Sequence, residues 1–419
     1  VALRLALGIS RRHRAPVALH RVLVVGGSLG GLTTALLLRS LGLEVTVLER
    51  SAQPLEARGA GIVLQPETLR WFLEHGDGDL DAVSVAAPVT RWLDVDERGD
   101  EVVRREVADP HRFTSWQTLY AGLLAAFGTE HYRRGACVVD VDPAGAVVLD
   151  DGTRLEADLV VAADGIRSGV RARLAPEVRP EPAGYVGWRG TVPAATLPPA
   201  AQAALGGALV YAVPPLSHIV IYPIPGGALN YVWYRNADAA TRDALLTDQD
   251  GRRRDLALPP GAVRAEAVAQ LRADATELLP PSAAALVRGT AEPFLQEIVD
   301  LSSRRLRWDR VVVLGDAAFA ARPHAAAGTA KACADAWSLA EHLRPVVAGG
   351  GSGDGSVGGS DDRLRHALDA WEAERLAVGH ALLERVRALG HASQVAGTWT
   401  PGDPSLAFGL PASAPGLAR

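Results

Sequence analysis

Continuous apolar runs alternate with helical periodicity at three places along the chain, and each run ends at a glycine or an aspartate. The first is RVLVV (21–25), which enters GGSLGG (26–31); a helical pattern follows from about Leu32 to Ser40, Gly42 closes it, and a second apolar run ends at Glu49. Apolar runs without alternation are strands buried on both faces, so this segment predicts strand, helix and strand in a parallel sheet. ADLVVAADGIRSGVRARL (157–174) and RVVVLGDAAFAARPHAAAGTAKACADAWSLAEHL (310–343) repeat the opening. Each is a buried strand that runs into Asp164–Gly165 or Gly315–Asp316 before a helix.

A different pattern lies between them. AGYVGWRG (183–190), ALVYAVPP (208–215), SHIVIYPIPG (217–226) and ALNYVWYRNA (228–237) are short β-branched and aromatic runs broken by proline and glycine, which predicts a meandering antiparallel sheet. Residues 88–110 predict a hairpin of the same sheet turning at Arg98-Gly99-Asp100, and FTSWQTLYAGLLAAFG (113–128) a helix that returns the chain to the first part. The expected fold is therefore α/β: a Rossmann-like part in three pieces (21–87, 111–180, 286–345) with an inserted antiparallel sheet (88–110, 181–285). GGGSGDGSVGGS marks 346–360 as a flexible linker, and a charged helix from Asp361 to about Leu389 opens a C-terminal segment (361–419) with an irregular tail.

The first glycine turn carries chemistry. Gly26 suits a tight turn and Gly31 a close helix contact, while Gly27, Ser28 and Leu29 lead into a helix N-terminus whose free N–H groups suit a pyrophosphate. Ser28 stands at the middle glycine of GxGxxG. Glu49, at the end of the second strand, is placed to accept from ribose hydroxyls, and an acidic reader favours FAD or NAD over NADP.

Composition narrows the partners. With 43 basic and 48 acidic residues and a net charge of -5, nothing recruits nucleic acid or an anionic membrane, and no run reaches membrane-spanning length. Cys137 and Cys333 form no CxxC, so no disulfide framework, metal site or redox dithiol is expected. The opening VALRLALGISRRHRAPVALH sets its apolar run before its arginines, the reverse of a secretory leader, and reads as a frayed extension of a cytoplasmic protein. Methionine is absent, and every basic residue is arginine except one, Lys331.

The glycine turn, the mid-chain Asp164–Gly165 and the late Gly315–Asp316 with its proline loop, in this order, resemble the FAD-dependent aromatic hydroxylases of the para-hydroxybenzoate hydroxylase superfamily. Within it, GIVLQPE (61–67), FTSWQTLYAGL (113–123), AGYVGWRG, HIVIYPIPG (218–226) and RPHAAAGTAK (322–331) are similar to 2,6-dihydroxypyridine 3-hydroxylase-like monooxygenases. The resemblance implies a single-component monooxygenase with tight, non-covalent FAD. It would hydroxylate an electron-rich aromatic or N-heteroaromatic ring through a C4a-hydroperoxyflavin, with NADH or NADPH and O2 as co-substrates. It leaves a homodimer open. It implies the ADP half of FAD at Gly26 to Gly31 and Glu49, with Arg50, Arg58, Gly61 and Arg112 as further cofactor contacts and Val138 against adenine. Asp164 and Gly165 would serve FAD and the nicotinamide, Gly315 and Asp316 the ribityl chain, and Pro323, Ala327 and Gly328 the flavin ring. The chain departs from the pattern at Phe319 (usually histidine), Ala326 (glycine), Ala330 (asparagine) and Trp116 (arginine).

Two residues are catalytic candidates. His324 follows Pro323 and suits a base that titrates near neutrality, or else bonds only the loop backbone. Lys331, one turn into the late helix, points either at the flavin and substrate or out to solvent. Tyr211, His218, Tyr222, Tyr234, Arg235 and Pro323 are substrate candidates, His218 and Tyr222 sharing one strand face. A flavin halogenase is the enzymatic rival, against which Trp188 and Trp233 sit in GWRG and VWYR rather than WxWxIP; a flavin-binding protein without turnover is the other.

Overall fold

A computed structural model describes residues 19–55, 61–75, 79–349, 359–403 and 408–410. Its first layer is a six-stranded sheet in the order Arg307–Trp308, Val311–Val313, Leu159–Ala162, Arg21–Val25, Glu44–Glu49, Tyr132–Arg134. All pairs are parallel except the first. Val22, Val24, Val160, Val161, Val311 and Val312 are fully buried, as strands covered on both faces require. The helices Leu29–Ser40 and Gly328–Ala348 pack together beside this sheet, so closely that a Cβ on Gly30 would lie 3.1 Å from the Ala332 methyl.

The second layer is a larger, mostly antiparallel sheet, ordered Ala257–Leu258, Phe294–Ser302, Glu181–Pro193, Ala228–Asn236, His218–Ile224, Ala208–Ala212, Val85–Val95, Glu101–Ser115, Gly61–Val63. Ala208–Ala212 and Val85–Val95 form its parallel step. The expected hairpin turns at Asp96–Asp100, where the Asp96 carboxylate accepts from the Arg98 and Asp100 amides. Two strands join from segments expected in the nucleotide-binding part: Gly61–Val63 and Phe294–Ser302. The latter is buried on alternate and then consecutive positions, a pattern shared with a nucleotide-sheet strand, so periodicity alone did not separate the two.

One face of this sheet packs on the helices Ala265–Leu278 and Pro281–Arg288 around Trp188, Tyr231 and Trp233. The other face looks at the nucleotide-binding part. The helix expected from residue 113 starts at Trp116, because Ser115 caps it by accepting from the Thr118 amide at 3.0 Å while Phe113 to Ser115 remain in the sheet. The helix Gly359–His391 ends in a π turn, Ala392–Ala396, and the chain beyond it lies across the sheet with Trp399 buried. Most of the expected linker, 350–358, lies outside the described residues, as do residues 1–18 and Arg58.

Candidate functional site

The first glycine turn is built by contact. Gly26 has a φ of +101°, and a Cβ on Gly31 would fall 1.9 Å from the Gly26 carbonyl, so the helix sits directly on the turn. Ser28 makes no side-chain cap and the first helical turn holds no acidic residue, which leaves its N–H groups and dipole open to an anion. Glu49 is buried and accepts from the Gly27 amide at 2.9 Å and the Ser51 amide at 2.8 Å. Tyr132 donates to the Gly27 carbonyl at 2.9 Å; burial raises its hydroxyl, keeping it a neutral donor. Arg50 is exposed just beyond Glu49, and Val138 opens a small sheet beside the helix at Gly169. Arg112 is held by Asp81 and by Ser84 Oγ.

The two aspartate turns are tied together. Asp164 accepts from the Gly169 amide at 2.8 Å through Oδ2, while Oδ1 is buried without a partner, and burial raises the carboxyl. Arg171, buried, donates to the carbonyls of Ile166 at 2.6 Å and Ala317 at 2.9 Å, so it staples the Asp164–Gly165 loop to the Gly315–Asp316 turn. Gly165 and Gly315 take φ values of +75° and +61°. Asp316 opens into the cavity described next; the protein around it raises its carboxyl, with the Lys331 charge opposing.

A cavity of about 400 Å³ lies between the two layers. Its floor is Ile166, Asp316, Pro323, Ala326, Gly328 and Thr329, with Gly61 and Trp116 at one side. Ala326 adopts the left-handed conformation (φ 49°, ψ 28°), which glycine takes freely and in which alanine costs about 1–2 kcal/mol. The loop is braced: Gln65 Nε2 donates to the Ala326 carbonyl at 2.9 Å and the Gly409 amide to the Ala325 carbonyl at 2.9 Å. The helix from Gly328 also starts without a side-chain cap, behind the buried Ala327.

The roof follows from strand alternation. Tyr211, His218, Tyr222 and Tyr234 all line the cavity, with His218 opposite Tyr234 and Tyr222 opposite Asn230 in register. Tyr222 donates to the Gly61 carbonyl at 2.8 Å, and burial pushes its hydroxyl up to about 12. His218 stacks on Tyr234 with ring centroids 4.4 Å apart, and Ser393 Oγ lies 2.6 Å from its Nδ1; burial lowers its pKa. The expectation for Arg235 is corrected: following Tyr234, it faces the other side of the sheet, pairs with Asp274 at 2.9 Å and covers Trp233.

His324 is buried in the wall. Its Nε2 lies 2.6 Å from the Tyr185 hydroxyl and its Nδ1 has no partner. Burial, with the Arg322 charge adding, holds its pKa at about 3, which corrects the expected titration near neutrality. Lys331 takes neither expected direction: its ammonium turns into the core, onto Asp335 and the Gly315 carbonyl, and does not line the cavity.

Arg189 was missed by sequence reasoning. On the same strand face as Tyr185, it reaches the cavity beside Phe294 and Val232, its Nε is buried without a partner, and it makes no hydrogen bond or ion pair among the described residues. Alternation in AGYVGWRG puts Tyr185, Gly187 and Arg189 on one face, a signal readable before the structure. Trp399 was also missed; it walls the cavity from a tail whose pattern carries no period. Among the described residues no group of His, Cys, Asp and Glu could hold a metal ion, and no helix is long and apolar enough to cross a membrane.

Residues 20–84 match the family described as FAD binding domain, and residues 182–300 the family described as FAD binding domain-like. The chain is 37% identical over 401 residues to the 2,6-dihydroxypyridine 3-monooxygenase of Paenarthrobacter nicotinovorans, covering 93% of this chain and 96% of that one. The solved 2,6-dihydroxypyridine-3-hydroxylase from Arthrobacter nicotinovorans superposes with a TM-score of 0.83 at 36% identity, covering 95% and 98% of the two chains. Klebsiella pneumoniae HpxO, solved with FAD and uric acid, shares the fold, with a TM-score of 0.69 at 22% identity over 90% of this chain and 89% of that one.

Proposed function

The chain belongs to the FAD-binding monooxygenases of the p-hydroxybenzoate hydroxylase superfamily, and we propose that it hydroxylates a hydroxylated N-heteroaromatic ring bound as its anion. The protein is an FAD-dependent monooxygenase of aromatic or N-heteroaromatic rings. The ring class and the residues that act on it are our reading. The single observation that carries it is Arg189, an unpartnered guanidinium in an aromatic cavity. Arg189 is half-buried, with its Nε enclosed and no protein group paired with it among the described residues, so an anion in the cavity is the partner its charge favours.

The residues fit FAD on this chain's own terms. The uncapped helix at Leu29 and Glu49 would hold the ADP half, Asp164 with its orphaned Oδ1 and Asp316 the ribityl side, and the uncapped N-terminus at Gly328 would face the ring. When bound, FAD would supply the redox chemistry, two electrons from NADH or NADPH and one oxygen atom of O2 for the ring, the other oxygen leaving as water. Arg189 orients the ring and favours its ionised form, and it is the loss of the hydroxyl proton that makes the ring electron-rich where oxygen attacks.

A histidine that stays neutral down to about pH 3 is better suited to hold a hydrogen bond than to store the proton of a ring hydroxyl. His324 presents its unpartnered Nδ1 to the substrate, as a lone pair when Nε2 carries the proton toward Tyr185 and as an N–H when the Tyr185 hydroxyl donates to Nε2. Tyr211, Tyr222, Tyr234 and Trp399 supply apolar faces that exclude water around the reacting carbon.

The test is an anaerobic titration of the flavin-loaded protein with 2,6-dihydroxypyridine and with uncharged pyridine analogues, read as a change in the visible flavin spectrum. Preference for the anion that Arg189→Met abolishes supports the reading. Equal binding of charged and uncharged rings overturns it.

A further inference from the structure

The chain's only lysine is buried where the chemistry above makes no use of it. Lys331 is 1% exposed; its Nζ donates to the Gly315 carbonyl at 3.1 Å and to Asp335 Oδ2 at 2.6 Å. The same Asp335 oxygen accepts from the Gly315 amide at 2.9 Å. One buried ion pair therefore holds both backbone polar groups of a single residue, whose carbonyl also accepts from the Ala318 amide at 3.0 Å, and that residue carries Asp316 into the cavity from a left-handed conformation.

Other purposes explain the pair poorly. Lysine placed four residues before aspartate is the less favourable order along a helix. A buried ion pair recovers its desolvation cost only through further polar contacts, and here those are the two hydrogen bonds to Gly315 and the Arg375 guanidinium, 3.1 Å from the other Asp335 oxygen. The neighbouring positions act on the same turn. The methyl of Ala332 would meet a Cβ on Gly315 at 3.3 Å and one on Gly30 at 3.1 Å, so this turn of helix touches both glycine loops at once. Arg171 holds the Ala317 carbonyl from the opposite side.

We propose that Lys331 is a positioning residue for FAD: with Asp335 it clamps the Gly315 peptide groups and thereby sets the Asp316 carboxylate. The proposal rests on the reading that Asp316 binds the ribityl chain. Lysine suits the position because its point charge reaches a carbonyl and a carboxylate together from inside a helix, with the Phe319 ring beside the ammonium, where the wider planar fork of arginine would need more room.

Lys331→Met keeps the bulk and removes the ammonium. Asp335 then still pairs with Arg375 at 3.1 Å, so no carboxylate is left alone in the core. The experiment is a double-mutant cycle of Lys331→Met and Asp316→Ala, read as the FAD dissociation constant of the refilled apoprotein, with circular-dichroism melting of each apoprotein alongside. Lys331→Met is expected to melt as a folded protein and bind FAD about tenfold more weakly, with a shifted visible flavin spectrum. The double variant is expected to bind no more weakly than Asp316→Ala alone, because the lysine acts through that carboxylate.

A wild-type dissociation constant in Lys331→Met, or penalties that multiply in the double variant, overturns the proposal. A wild-type constant in Asp316→Ala instead overturns the reading of Asp316 on which it rests. If Lys331→Met does not fold, Asp335→Asn, which keeps the shape and weakens the hold on Gly315, enters the same cycle with the same criteria.

Discussion

The Tyr185 hydroxyl and His324 Nε2 meet at 2.6 Å, one from a strand of the roof and the other from the loop beneath it, so this hydrogen bond, beside the Arg322–Asp300 ion pair, joins the two layers at the cavity wall. The helix Gly359–His391 passes behind them at Gly390, where a Cβ would lie 2.5 Å from the Tyr185 oxygen and 2.9 Å from His324 Nε2. Gly390→Ala should therefore push the pair apart, at about 1–3 kcal/mol of overpacking. Ring-stimulated NAD(P)H oxidation is expected to fall while flavin absorbance stays, since no glycine loop is touched.

Acid should loosen the same wall. His324 has an ordinary pKa of 6.5 and titrates at about 3 in the fold, and His218 is lowered as well. The unfolded chain thus binds more protons than the folded one between these values, and stability rises with pH across that window. The contribution is fully present above about pH 6.5 and is lost as pH falls through it toward 3. Denaturant unfolding against pH checks this: His324→Gln should flatten the slope between pH 6 and 4, on the order of the window named by the pKa shift, and an unchanged slope would contradict the buried neutral histidine.

Removing the guanidinium should separate binding from chemistry. Arg189→Met is expected to raise KM for an anionic ring by about tenfold to a hundredfold, the worth of a charge-assisted hydrogen bond, with a smaller effect on an uncharged ring. Steady-state kinetics on a charged and an uncharged substrate decide it.

Much of this was legible in the sequence because chemistry and backbone geometry coincide there. Glycines at 26 and 31, a carboxylate at 49 and aspartates at 164 and 316 each sit at a strand end, where a motif has a fixed offset. The roof was legible as a sheet, but which side chains face the cavity depended on register: Tyr234 and Arg235 read alike until alternation assigns them opposite faces. Lys331 and Trp399 were not legible because their positions depend on contacts with residues distant in sequence, Gly315 and His218. A one-turn helix offset allows an inward or an outward lysine equally, and only packing chooses.

The glycine turn tolerates no side chain at its closest point. With its Cβ 1.9 Å from the Gly26 carbonyl, Gly31→Ala must shift the helix Leu29–Ser40 off the turn. The expected outcome is loss of FAD and destabilisation by about 1–3 kcal/mol or more, measured by flavin content and thermal melting.

On the proposed function, this cavity presents an anionic N-heteroaromatic ring to FAD for hydroxylation. The most direct test is turnover of the flavin-loaded protein with NADH or NADPH and 2,6-dihydroxypyridine under isotopically labelled dioxygen, followed by mass spectrometry of the product. Ring-stimulated consumption of the nicotinamide with one labelled oxygen in the ring, both diminished in Arg189→Met, is the predicted result. A flavin-loaded protein that consumes NADH or NADPH at the same rate with and without hydroxylated rings, and leaves no label in any of them, would contradict the account.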